Sequence, residues 1–198
     1  HLAYAEFLYR TEGQDTDFDP EFQSPSLMSK IAVVARSGYH VQALMQADAG
    51  VSPTEYQAST FWPELRAKLS VIHDGIDTMR VCPRPDATLT LPNGQVLRAG
   101  DEIISFVNRQ LEPYRGYHVF MRALPEVLAA RPEAQVVIVG GEGQSYGPRP
   151  PEGQTWKQRF LDEVKDRLDL SRVHFIGQVP YDSFLSLMQV TRVHAYLT

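Results

Sequence analysis

From residue 102 onward the chain alternates apolar runs of strand length with stretches of helical period. "EIISFVN", "AQVVIVG" and "RVHFIG" are apolar segments too short for buried helices. Between them, "GYHVFMRALPEVLAAR" sets Tyr117, Phe120, Met121, Leu124 and Leu128 on one helical face. "TWKQRFLDEVKDRL" does the same with Trp156, Phe160, Val164 and Leu168. "YDSFLSLMQ" reads as a third helix and "RVHAYLT" as a fourth strand. Strands apolar on both faces and joined by helices require right-handed βαβ units. The fold class is therefore α/β, a Rossmann-like parallel sheet with helices on both faces. Pro125 lies within the first of these helices and is expected to kink it.

The first hundred residues follow the pattern less regularly. Residues 1–29, with Gly13, Pro20, Pro25 and an acidic cluster, read as a loop-rich segment. A helix follows, with Ser26 or Ser29 available as its cap, and then a short strand, "AGVS". "PTEYQASTFWPELRAKL" predicts one helix opening at Pro53 and closing near Trp62–Pro63. "LSVIH" is a further strand, running into a turn at Asp74–Gly75. "ATLTLPNGQVLRAG" alternates on both sides of Asn93–Gly94 and predicts a hairpin with a two-residue turn.

Composition removes several functions. With 43% hydrophobic and 22% charged residues the chain suits a soluble globular fold. No apolar run approaches the roughly 18 residues that span a bilayer, and no signal segment opens the chain. One cysteine, Cys82, excludes an intrachain disulfide and a cysteine-based zinc site, which fits a reducing, cytoplasmic setting. A net charge of -5 argues against a general nucleic-acid binder.

In open parallel sheets ligands bind beyond the carboxyl ends of the strands, which selects the loops 107–116, 140–154 and 176–181. In the first, Arg109 follows a strand and Arg115 precedes a helix, with Gly116 between. Guanidinium groups fork onto phosphate oxygens and a helix N-terminus favours an anion, so the loop suits a diphosphate. Solvation, or pairing with Glu112, is the alternative. In the second loop Gly140, Gly141 and Gly143 permit a tight turn or close backbone approach to a ligand. In the third, backbone groups from Gly177 to Val179 could meet a flat base or form a plain turn. His73, His174 and His194 fall in apparent strands and read as structural. His118 borders the first loop without an orienting acid. Asp15–Asp19 lacks the glycine and late glutamate of a calcium loop and reads as an acidic surface segment. No G-x-S-x-G nucleophile motif is present.

Taken in order, "ADAGVSPTEYQASTFWPELRAKLSVIHDGIDT", "SFVNRQLEPYRGYHVFMRALP" and "VVIVGGEG…RVHFIGQVPYDSFLSLMQ" resemble glycosyltransferase family 4, the retaining GT-B class, over roughly residues 45–198. The resemblance implies two domains: 1–75, the end of an acceptor-side N-terminal domain, and 76–198, a nucleotide-sugar domain truncated at its C-terminal end. Arg109 matches the family's phosphate-binding arginine. Arg115 stands where most members carry lysine, before Gly116. Gly140 and Gly141 match the glycine turn. Ile176, Gly177, Gln178 and Val179 match the segment near the base, and Gly75 matches the hinge. The implied partners are a UDP-, GDP- or ADP-linked sugar and a glycan or small-molecule acceptor. No cofactor or metal is implied, and peripheral membrane association of a longer protein is compatible.

The family's paired glutamates would follow Thr198, so the catalytic residues are not assigned and the chain is expected to be an inactive fragment. His73–Asp74 departs from the usual Pro–Asn. A non-catalytic nucleotide-binding module and a GT-B relative such as an epimerase or phosphorylase are the competing readings.

Overall fold

The computed structural model describes residues 1–5, 8, 21–22, 26–143, 145 and 149–197, and the acidic segment Asp15–Asp19 lies outside them. The chain divides into two compact units, His1–Asp77 and Thr78–Thr198.

The first unit holds β1 (Leu2–Tyr4), α1 (Leu27–Gln46), β2 (Ala49–Ser52), α2 (Glu55–Ser59), α3 (Pro63–Arg66) and β3 (Leu69–Val71). Its strands form a parallel sheet in the order β1-β2-β3. Leu44, Ala58, Phe61, Leu65 and Leu69 pack together with Ala5 and Leu8. Three sequence expectations change here. Leu2–Tyr4 form a strand rather than a loop, because they pair with residues 49–51; three residues are too few to show alternation. The single helix expected from Pro53 is two short ones. Thr54 is the cap of α2, its hydroxyl accepting from Gln57 N at 3.1 Å. Pro63 opens α3 at a first-turn position instead of ending α2. His73 is a third departure: it is exposed, beyond β3, and its Nδ1 accepts from Gly75 N at 3.2 Å. That bond closes a turn in which Gly75 adopts φ 76°.

The second unit contains β4 (Thr88–Thr90), β5 (Val96–Arg98), β6 (Ile103–Gln110), α4 (Tyr117–Ala130), β7 (Gln135–Gly141), α5 (Trp156–Val164), β8 (Val173–Gly177), α6 (Tyr181–Val190) and β9 (Val193–His194). The sheet β8-β7-β6-β9 is parallel throughout. Alternation along the strands sorts side chains between its faces. Val137, Val139 and Ile103 meet Leu89, Leu91 and Leu97 of the hairpin and Leu187 and Val190 of α6. On the other face Phe106 stacks on Phe120 with centroids 4.6 Å apart, Tyr117 meets Phe160 edge-on at 5.9 Å, and Trp156 stacks on Phe160 at 5.5 Å. One face is thus covered by α4 and α5, the other by α6 together with the hairpin. Pro125 is held inside a continuous α4.

The hairpin turn is longer than its sequence signal suggests. Leu91 N donates to Gln95 O at 2.8 Å and Gly94 N to Leu91 O at 2.9 Å, closing a three-residue loop, Pro92–Asn93–Gly94. Gly94 takes φ 88°. Pro92 favours a turn start followed by a left-handed residue, which selects this loop over the two-residue one.

His174 in β8 lies 2.8 Å from Gln135 Oε1, and His194 in β9 lies 3.0 Å from Ser105 Oγ. Burial pushes both imidazoles below the ordinary value of 6.5. The folded state therefore keeps them neutral while the unfolded chain protonates first. Their contribution is present above about pH 6.5 and is lost as pH falls below it. Calorimetric scans are expected to show a lower unfolding midpoint at about pH 5.5 than at about 7.5, with a smaller difference in His174→Gln.

Candidate functional site

β6 runs past its apolar stretch, so that Arg109 and Gln110 belong to the strand rather than to the loop after it. Its pairing with β7 is irregular between Val107 and Gln110. From this end Val107, Asn108 and Arg109 line a cleft of about 440 Å³, completed by Val139, Gln178, Val179, Tyr181 and Phe184. A second cleft, about 400 Å³, is bounded by Gln110, Gly140–Gly143, Gly177 and Gln178. The two share Gln178. Both lie at the carboxyl ends of β6, β7 and β8, where the parallel sheet presents its strand termini.

The first cleft is mixed: valines and two aromatic rings line it together with Asn108, Arg109 and Gln178. Arg109 is exposed. Beside it the Nδ2 of Asn108 is buried and has no hydrogen-bond partner. An unpaired buried donor is costly in a folded chain.

The glycines of the second cleft have distinct causes. A Cβ on Gly140 would lie 2.7 Å from Leu111 Cδ2 and 2.9 Å from Asn108 O. A Cβ on Gly141 would meet Gln110 Oε1 at 2.5 Å. Gln110 Oε1 also accepts from Gly143 N at 2.8 Å, and the fully buried Glu112 accepts from Ser145 N at 2.9 Å. The side chains of the β6 loop therefore tie down the glycine turn after β7. Gly177 differs: it takes φ 68° and nothing lies within 4 Å of its missing Cβ, so it leaves open space at the strand end.

Glu142, between the glycines, pairs with Lys157 Nζ at 2.7 Å. The hydrogen bond from Lys157 holds its carboxyl below the ordinary carboxylate range. Arg115 is half-buried, with its guanidinium carbon 5.6 Å from the Tyr114 ring centroid. Gly116 caps α4 at φ 69°, and the space a side chain would need is filled by Leu197. Among the described residues no group of three or more His, Cys, Asp or Glu side chains gathers as a metal site.

Residues 91–197, more than half of the chain, match the glycosyl transferases group 1 family. The chain belongs to that family. Residues 1–81 match the glycosyl transferase family 4 group. Among curated proteins, it is similar to the GDP-mannose-dependent alpha-(1-6)-phosphatidylinositol monomannoside mannosyltransferase of Mycolicibacterium smegmatis, at 36% identity over 84 residues. That match covers 42% of this chain and 21% of the relative's length. A crystal structure of TarM is similar in fold, with a TM-score of 0.55 and 12% identity over 96% of this chain and 30% of TarM. The C-terminal domain of a glycosyl transferase group 1 family protein (LpcC) from Francisella tularensis aligns over 61% of this chain and 57% of that domain, at TM-score 0.45 and 17% identity.

Within this group 1 chain the clefts bring together Arg109, Gly140, Gly141, Gly177, Gln178 and Val179. Arg115 and Gly116 are not among their lining residues. Ile176 packs into the core formed by the hairpin and α6. Gly75 belongs to the first unit. Sequence reasoning passed over Asn108, Gln110, Tyr181 and Phe184. The two amides sat inside the quoted loop but carried no charge to attract notice. The aromatics read as the first turn of an amphipathic helix. Among the described residues no helix is long and apolar enough to cross a membrane.

Proposed function

We propose that this chain provides the donor-binding part of a transferase that moves a sugar from a nucleoside diphosphate to an acceptor hydroxyl, with retention and without a metal. The bond between the anomeric carbon and the β-phosphate oxygen breaks, the acceptor oxygen bonds to the same face of the sugar, and the acceptor's hydroxyl proton passes to the departing nucleoside diphosphate. The observation that carries this reading is Arg109 on a strand-end cleft, beside the unpaired amide of Asn108. A guanidinium stays charged at every accessible pH and offers paired donors to the oxygens of a leaving diphosphate. Stabilising that leaving group needs only fixed positive charge and donors, which is electrostatic catalysis.

In this reading Arg115 and Gly116 contribute from the far end of the same loop, Gly140 and Gly141 shape its floor, and Ile176–Val179 border the base. Residues 1–75 would serve the acceptor side and 76–198 the donor side, with Gly75 as the hinge. A cytoplasmic site of action suits the single free cysteine. Sugar transfer by the chain alone is not expected.

Calorimetric titration with UDP, GDP and ADP tests the site directly. One of the three is expected to bind, and Arg109→Ala to weaken it about tenfold or more, because a charge-assisted contact contributes roughly 1.5–3 kcal/mol. Unchanged affinity in Arg109→Ala would refute the diphosphate assignment.

A further inference from the structure

Residues 80–82 lie along α6, held at two points. Arg80 Nη2 donates to Asp182 Oδ1 at 2.7 Å, and Gln189 Nε2 donates to the Cys82 carbonyl at 3.0 Å. The Arg80 guanidinium carbon also sits 4.8 Å from the centroid of the Tyr181 ring. Tyr181 is 51% exposed and lines the first cleft together with Val107, Val139, Val179 and Phe184, whose ring lies 5.9 Å away. Asn108 and Gln178 supply the amides of that cleft.

We propose that Tyr181 is the stacking wall for the base of the nucleotide and that Arg80 is the positioning residue that holds its ring. This rests on the nucleotide reading of the cleft. A half-exposed tyrosine in the first turn of a helix would otherwise rotate about its side-chain bonds. A guanidinium lying over one face, itself fixed by Asp182, restrains the ring and leaves the other face for a planar ligand. Three valines complete an apolar slot suited to a heteroaromatic ring, with amides at hand for its polar edge. Arg80 differs in kind from Arg109. Its charge is already matched by Asp182, so it is not a phosphate ligand.

The test pairs two probes on the same chain: whichever of UDP, GDP and ADP binds best, and inorganic pyrophosphate. Stacking on an aromatic contributes enough that Tyr181→Ala is expected to weaken the nucleotide at least about fivefold, while pyrophosphate affinity stays unchanged. Tyr181→Phe keeps the wild-type affinity. Arg80→Ala is expected to weaken the nucleotide by about two- to fivefold and pyrophosphate not at all. Arg80→Lys, which keeps the pairing to Asp182 but not the planar cover, should fall between. In a Tyr181→Ala background, Arg80→Ala should add nothing, since the ring it positions is gone.

Additive losses in the double variant would overturn the positioning role. Equal losses for nucleotide and pyrophosphate would overturn the base assignment, as would wild-type nucleotide binding in Tyr181→Ala. A wild-type chain that binds neither probe would instead refute the nucleotide reading on which this depends. Far-UV circular dichroism of each variant separates these outcomes from misfolding.

Discussion

Phe106→Ala is expected to destabilise the second unit by about 3–5 kcal/mol, the range for removing a fully buried phenylalanine. Phe106 is 0% exposed in the middle of β6. It stacks on Phe120 at 4.6 Å and touches Tyr117 at 5.9 Å, and through Tyr117 it is joined to Phe160 and Trp156. Its loss removes transfer energy and also the pairwise ring contribution, about 0.5–1.5 kcal/mol per pair. A strand held between β7 and β9 in a parallel sheet has little freedom to collapse into the void. Urea titration monitored by tyrosine and tryptophan fluorescence should show a lower midpoint with an unchanged slope. A loss below about 1 kcal/mol would show that α4 settles onto the sheet and fills the space.

Gly116→Ala is the second large effect, and it arises from backbone geometry. At φ 69° an alanine is strained, by roughly 1–2 kcal/mol for the left-handed conformation. Its Cβ would also lie 2.5 Å from both the carbonyl oxygen and the Cβ of Leu197. Backbone cannot swing aside as a flexible side chain can, so overpacking adds about 1–3 kcal/mol. We expect a total near 2–5 kcal/mol unless residues 195–197 detach from α4. Amide hydrogen exchange distinguishes the two cases. Faster exchange confined to Ala195, whose amide donates to Ser105 O at 2.8 Å, would signal local detachment, whereas faster exchange throughout the sheet would signal global loss.

The sequence was most legible where one period held long enough to be unambiguous. The apolar face of α4 and the Trp156–Phe160–Val164 stripe of α5 are buried as the spacing demands. Short elements carried too little pattern. β1 exists because of a partner almost fifty residues away, which no local window contains. The break between α2 and α3 depends on the Thr60 hydroxyl, which donates to Gln57 O and accepts from Leu8 N, a long-range contact again. At the candidate site the strand-end rule pointed to the segments that border the two clefts, and Arg109, Gly140, Gly141, Gly177, Gln178 and Val179 line them, four of these as the last residues of strands rather than as loop residues. Sequence could not say that Gln110 would occupy the glycine turn, or that Leu197 would fill the space beside Gly116. Those are facts of tertiary packing between segments distant along the chain.

The strand β9 has a consequence for how the protein is made. It contributes only Val193 and His194 to the sheet, set against Ile104 and Ser105. Those two residues follow β6 by about eighty positions. At roughly 5–20 residues per second a ribosome takes about 4 to 16 seconds to supply them. Through that interval β6, an inner strand of the sheet, has at least one bare row of amides and carbonyls flanked by Ile104 and Phe106. A bare row of that kind accepts any extended segment that reaches it, including the same strand of a neighbouring nascent chain.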